Sequence, residues 1–199
     1  MARRSEHSQQ EIKEMVLKAA ESIVIDEGFA ELKVRKVAME IGYTVGSIYM
    51  VFDNLADLVM QLKGRTLDDM TEQLKRLPKQ GNAKQNIIML AIAYQTFACQ
   101  NFNRWSMLFE HRLPEHEVVP AWYQEKVDLV FSLVELQFLG LTSAANEEQS
   151  KWAARALWSG VHGICILSLS GKMDLLGMRR IEETVVLLVE NFIKGWQMR

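Results

Sequence analysis

The sequence predicts an all-α fold, and three observations predict it. Apolar residues recur at helical spacing along most of the chain, no segment shows the sustained alternation of a half-buried strand, and only three prolines interrupt 199 residues. Hydrophobic residues make up 49% and charged residues 24%, the ordinary balance of a globular protein, which excludes global disorder and leaves enough apolar side chains for a substantial core. No run approaches the roughly 20 apolar residues of a bilayer span, and the polar stretch Met1 to Gln10 lacks the apolar centre of a secretory signal, so a cytoplasmic location with no membrane partner is expected. Cys99 and Cys165 each sit alone in an apolar helical pattern, which reads as buried, reduced thiols with no disulfide. No cofactor and no metal are expected.

Each helix has its own signals. Ile12, Met15, Val16, Ala19, Ala20, Ile23 and Val24 share one face of a helix over roughly 8–27, which Gly28 closes. Val34, Val37, Ala38 and Ile41 repeat the pattern briefly before Gly42, and Val45 to Val51 is a second short segment. Asn54 is a natural N-cap with Asp57 in the first turn of a helix that runs to the Pro78 breaker. Asn82 precedes a helix to about Gln100, and a short one over 103–112 ends before Pro114. Pro120 opens a long helix stopping near Gly140. Asn146, followed by Glu147 and Glu148, starts another that Gly171 closes, and a last one covers Met178 to Met198. About nine helices result, divided into a domain over 1–53 and a larger one over 54–199 whose first helix, 54–77, links the two.

The net charge of −2 does not advertise nucleic-acid binding, and residues 1–55 hold seven Lys/Arg against nine Asp/Glu. Local placement is more informative. Arg3 and Arg4 open the chain, and Lys33, Arg35 and Lys36 precede a stretch, Ile41 to Phe52, with no charge. A helix-turn-helix needs a small residue where the helices approach, a glycine able to take positive φ at the turn, and a branched apolar residue holding the second helix down. Ala38, Gly42 and Ile48 supply these at spacings of four and six. Thr44 is placed to cap the second short helix, leaving the amides of Val45, Gly46 and Ser47 facing outward where a phosphate would bind. Gly46 permits close approach, Ser47 and Tyr49 offer hydroxyls, and such short side chains let the helix enter a major groove roughly 12 Å wide.

The stretch Leu32 to Leu58, with Val34-Arg35, Val37-Ala38, Gly42, Ser47-Ile48-Tyr49 and Phe52, resembles the DNA-binding signature of the tetracycline-repressor (TetR) family. The resemblance implies that Arg35, Thr44, Gly46, Ser47, Tyr49 and Met50 contact phosphates and base edges of a double-stranded DNA operator; Lys36 and Val45 complete the expected set. It further implies a C-terminal domain that binds a small-molecule effector and forms a homodimer, and hence a repressor on a palindromic operator with half-sites separated by whole turns of about 34 Å. Two positions depart from the family pattern. Lys33 stands where a threonine or serine N-cap is usual, and Leu55 stands where a lysine near the phosphate backbone is usual. The recognition helix also lacks Arg, Lys, Asn and Gln, so specificity must come from elsewhere. Thymine-methyl contacts by Val45 and Met50 are one route; Arg3 and Arg4 either reach a neighbouring minor groove or form a solvated terminus.

Residues 80–199 are rich in large aromatics, and a ligand pocket is expected among Phe102, Trp105, Phe109, Trp122, Trp158 and His162. Trp158-Ser-Gly-Val-His162-Gly163 is similar to a Trp/His/Gly-containing helix of one TetR subgroup, in which His162 is either a hydrogen-bonded core residue or faces the ligand. Gly160 and Gly163 each weaken a helix by about 1 kcal/mol relative to alanine, which points to close packing, either between subunits or within the chain. The apolar stripes Ala153, Leu157, Val161, Ile164 and Val185, Leu188, Val189, Phe192 are the expected dimer interface, by the same resemblance. Two other readings compete. A helical-bundle metal protein would use Glu110, His111, Glu115, His116 and Glu117, but Pro114 separates histidines that are five apart, a poor arrangement for a shared helical face. A constitutive DNA-binding dimer would have a filled C-terminal core. No nucleophile–base–orienter set or phosphate-cradling glycine loop suggests an enzyme.

Overall fold

The computed structural model describes residues 7–78, 81–111, 118–141, 146–172, 177 and 180–198. Its described residues are helical, without strands: α1 (Gln9–Glu27), α2 (Val34–Glu40), α3 (Val45–Ile48), α4 (Leu55–Lys75), α5 (Ala83–Gln100), α6 (Phe102–Glu110), α7 (Ala121–Leu139), α8 (Glu147–Leu169) and α9 (Ile181–Gln197), with a 3₁₀ turn at Phe29–Glu31. None of these helices is long and apolar enough to cross a membrane.

The chain folds into two compact units. The first comprises residues 1–66 and 103–123, the second 67–102 and 124–199. The division therefore falls inside α4, between Thr66 and Leu67, and not at residue 53, and most of α6 belongs to the first unit. The reason is local burial: α4 contributes Leu58, Val59 and Leu62 to the same core as α1 to α3, and Met107 of α6 joins it. Ion pairs reinforce the grouping, because Glu21 of α1 meets Arg104 of α6 at 3.0 Å and Arg65 of α4 at 3.6 Å, while Glu14 also pairs with Arg65. Asn103 Nδ2 donates to the Ile25 carbonyl at 2.8 Å.

Within this unit α1 starts with a full capping box. The Ser8 amide donates to Glu11 Oε2 at 2.7 Å and the Glu11 amide to Ser8 Oγ at 3.3 Å, which satisfies two otherwise orphaned donors and holds the Glu11 carboxyl below the ordinary carboxylate range. Lys33 begins α2 with no side-chain cap, as its chemistry requires. Asn54 accepts from the Asp57 amide at 2.9 Å and so caps α4. Lys63 of α4 is buried, with its Nζ over the ring of Tyr123 at 5.3 Å; burial lowers the Lys63 pKa and pushes the Tyr123 phenol up to about 12.

In the second unit α5, α8 and α9 pack against one another. Asn146 caps α8 in a box with Gln149. Gly160 marks the close approach: a Cβ there would lie 2.8 Å from Leu188 Cδ2, so its role is an intrachain crossing of α8 and α9. Gly163 meets nothing within 4 Å. Cys165 is buried, and burial pushes its thiol up to about 12, whereas Cys99 is exposed at the end of α5 and accepts from Gln95 Nε2. The expectation of two buried thiols thus fails at Cys99, which lies on the solvent side of its helix.

Candidate nucleic-acid interface

The surface built by α2 and α3 follows from three residues. Gly42 takes φ +71° at the turn between the helices, a conformation that costs a glycine little. Ala38 and Ile48 are buried on either side of it, and the Tyr43 amide donates to the Ala38 carbonyl at 2.9 Å to close the turn. Thr44 caps α3: its Oγ1 accepts from the Ser47 amide at 3.2 Å and also bonds Ser47 Oγ at 3.0 Å. The two hydroxyls therefore spend one of their two hydrogens on each other.

Exposure sorts the remaining expected contacts. Tyr49 and Met50 are exposed, Met50 at 68%, and Gly46 is open to solvent. Gly46 has no positive φ, and a Cβ there would meet only Thr44 Oγ1, at an ordinary 3.6 Å. Its lack of a side chain is therefore not demanded by the packing of this unit. Val45 is half-buried and packs partly against the core. Among the basic residues, Lys36 is paired with Glu27 and Lys33 with Glu31, whereas Arg35 is exposed with no partner among the described residues. Leu55 lies partly exposed at the start of α4. Arg3 and Arg4 lie outside the described residues.

In the second unit an apolar cavity of about 50 Å³ is lined by α4 (Leu74), α5 (Ile87 to Tyr94), α7 (Val130, Phe131, Val134) and α8 (Ala154 to Val161). Of the six residues expected at a pocket, Trp158 lines it. His162 stands one turn further on, stacked on Trp158 with ring centroids 4.9 Å apart and bonded through Nδ1 to the Tyr94 hydroxyl at 2.9 Å. Burial lowers its pKa, which favours the neutral ring. Phe102, Trp105, Phe109 and Trp122 do not line the cavity. Trp105 is wholly buried against Phe109 in the first unit, Trp122 also belongs to that unit, and Phe102 and Phe109 are partly exposed, because the short amphipathic α6 buries only one side. Tyr94 and Phe131, which do line it, carry no sequence signal beyond their place in apolar helical patterns.

The expected dimer stripes also need correction. Ala153, Leu157, Val161, Val185 and Val189 are buried within the single chain; Leu188 packs on Gly160, Phe192 lies edge-on to Phe138, and Ile164 is half-buried. The adjacent stripe of α8 is the more open one: Trp152 (70% exposed), Ala156, Ser159 and Ile166 are exposed and Gly163 is half-buried, at alternating spacings of four and three. Leu187 of α9 (62% exposed) and Met198, just past its end, are its apolar counterparts. Among the described residues no group of His, Cys, Asp and Glu is arranged to hold a metal, and Glu115, His116 and Glu117 lie outside them.

A glycine turn that presents a short, capped, uncharged helix, followed by a separate helical unit, defines a helix-turn-helix transcriptional regulator. Family models agree over most of the chain: "Bacterial regulatory proteins, tetR family" matches residues 16–62, and "Tetracyclin repressor-like, C-terminal domain" matches residues 87–192. The chain belongs to the TetR family. It is 27% identical to Rv0681, an uncharacterised HTH-type transcriptional regulator of Mycobacterium tuberculosis, over 81% of this chain and 72% of that protein. In fold it resembles a protein of unknown function from Rhodococcus sp. RHA1 (TM-score 0.77, 19% identity, 98% of each chain). It also resembles BioQ bound to its double-stranded DNA operator (TM-score 0.65, 17% identity, 94% and 98%). A third similar fold is a TetR variant from Acinetobacter baumannii AYE in complex with minocycline (TM-score 0.65, 16% identity, 92% and 94%).

Proposed function

We propose that this protein is a homodimeric repressor that binds a palindromic operator through α3 and is released from it by a small, uncharged, apolar effector. One observation carries the effector reading: the cavity has Leu74 of α4 in its wall, and α4 continues without a break into the helix-turn-helix unit. Site size adds a mechanical consequence. A cavity of about 50 Å³ has room for a few waters, whereas an engineered apolar cavity of about 150 Å³ holds benzene. An effector larger than this space would either extend through the open side of the cavity or displace its walls, and α4 is one of the walls. The lining contains no charged side chain, and its one hydroxyl, on Tyr94, is bonded to His162. An ionised effector would lose its hydration with no counter-ion in return.

The open stripe of α8, with Leu187 of α9 and Met198 just past its end, supports the dimer, and its small central residues Ala156, Ser159 and Gly163 allow close helix approach. Arg35 and the free face of α3 support the DNA contact. The experiment has two stages: DNA selected from a random pool defines the operator, and a panel of small neutral aromatic and aliphatic compounds is then screened for thermal stabilisation and for release of that operator. A palindrome and a releasing compound are expected. If no compound stabilises the protein or changes DNA affinity, the effector reading fails and the constitutive dimer replaces it.

A further inference from the structure

We infer that this protein reads its operator mainly by the C5-methyl groups of thymines, with Met50 as the reading side chain. The inference rests on the DNA-binding reading above and specifies its chemistry. Four major-groove patterns distinguish the base pairs, and most are hydrogen-bond donors and acceptors; the thymine methyl is the one apolar group among them. The face that α3 offers to a groove is poor in hydrogen-bonding side chains. It has no Arg, Lys, Asn or Gln. Its two aliphatic hydroxyls, on Thr44 and Ser47, are bonded to each other, and Thr44 Oγ1 in addition accepts from the Ser47 amide, so the pair retains a single hydrogen to donate.

What remains exposed is the Tyr49 phenol and the unbranched thioether of Met50. Val45, the other apolar candidate, is turned partly into the core. Methionine suits the task, because a flexible, polarisable chain adapts to a methyl group where a rigid side chain would need a matched shape. Gly46 has no reason within the protein to lack a side chain, and its bareness lets the helix come close enough for short contacts beside it. Nothing in the fold requires Met50 to be apolar, since it is 68% exposed.

The test uses the full-length dimer and an operator recovered by selection. Duplexes are made in which each thymine is replaced, symmetrically in both half-sites, by deoxyuridine, which pairs identically but lacks the methyl. Burial of one methyl group corresponds to about 0.8 kcal/mol, or roughly fourfold in affinity, so a symmetric pair should weaken binding by roughly 15-fold at the contacted position. The Met50→Ala variant should bind the thymine operator more weakly and lose that deoxyuridine penalty. A set of deoxyuridine duplexes that all bind like the parent overturns the proposal, and so does a Met50→Ala variant that keeps the full penalty. Selection that yields no preferred sequence would overturn the DNA-binding reading together with this one, a result distinct from a specific operator that is indifferent to methyl removal.

Discussion

Replacing Gly46 with alanine should move stability and DNA affinity in opposite directions. In most helices a glycine lowers stability by roughly 0.5–1 kcal/mol relative to alanine, because its backbone has more freedom to lose. Gly46 lies in the first turn of a four-residue helix, so the lower end, about 0.5 kcal/mol, applies. No steric term opposes this gain: the backbone is helical with no positive φ, and the added Cβ meets one atom at 3.6 Å. For a chain of this length the gain corresponds to a rise in Tm of roughly 1–2 °C. At the DNA surface the same methyl group stands between helix and duplex in both half-sites. A loss of at least about 0.7 kcal/mol per half-site, or roughly tenfold for the dimer, is expected from the displaced contacts. Differential scanning fluorimetry and fluorescence anisotropy with the selected operator measure the two effects. If Gly46→Ala lowers Tm, glycine is required by the fold and the argument from the open Cβ position is wrong. If Tm rises but affinity is unchanged, α3 does not approach DNA at this point.

Leu55→Lys, which restores the helix-4 lysine usual in the family, should tighten operator binding and steepen log Kd against log salt by about 0.9 per added phosphate contact, hence nearly two for a dimer; an unchanged slope would show that α4 starts away from the backbone. Trp152→Glu combined with Leu187→Glu should convert the dimer to monomer in sedimentation experiments while leaving the helical circular dichroism intact, because both side chains are exposed in the single chain. A stable dimer would place the interface elsewhere. His162 has a folded pKa below its ordinary 6.5, so between those values the unfolded chain binds the extra proton, and ∂ΔG/∂pH of unfolding is positive. Stability from this group is present above about pH 6.5 and is lost as the pH falls; His162→Gln should flatten that part of the pH–stability curve, and an unaltered curve would refute the assignment.

Local signals carried most of the fold. Asn54, Asn82 and Asn146, read as helix starts, are N-caps bonded to the third residue of their helices, and Ser8 caps α1 in the same way, since capping depends on four consecutive residues and little else. The turn glycine and its flanking Ala38 and Ile48 were equally legible. What the sequence could not assign was the direction of a helix that is apolar on two sides. On α8, Ala153-Leu157-Val161 and Trp152-Ala156-Ser159-Gly163 are neighbouring stripes one residue apart, and periodicity alone does not say which one the chain buries itself. Long-range pairs were invisible for the same reason. The ion pair between Lys36 and Glu27 spans nine positions and the bond from Tyr94 to His162 spans 68; each depends on how helices meet. The aromatic cluster of α6 pointed to a pocket because aromatics line pockets, yet Trp105 is used to fill a core.

The division of the chain into units narrows how an effector could act. Three covalent crossings join them, after Thr66, after Phe102 and after Tyr123, and they fall inside α4, α6 and α7. The cavity is lined by α4 and α7 but not by α6. Of the two helices that touch both, α7 has only Ala121 to Tyr123 in the first unit, whereas α4 has Leu55 to Thr66 there. That portion of α4 is held by the buried Leu58, Val59 and Leu62 and by the pairing of Arg65 with Glu14 and Glu21, so a shift of α4 cannot be absorbed by sliding it through the core. In the proposed response, α1 to α3 move with that portion. For the proposed effector response α4 is the stronger lever, and the energy available to it would be only the part of effector binding that differs between the operator-competent and released arrangements. By linkage, DNA must weaken the effector by the same factor that the effector weakens DNA, so an apolar compound that releases the operator must bind the DNA-loaded dimer correspondingly less well.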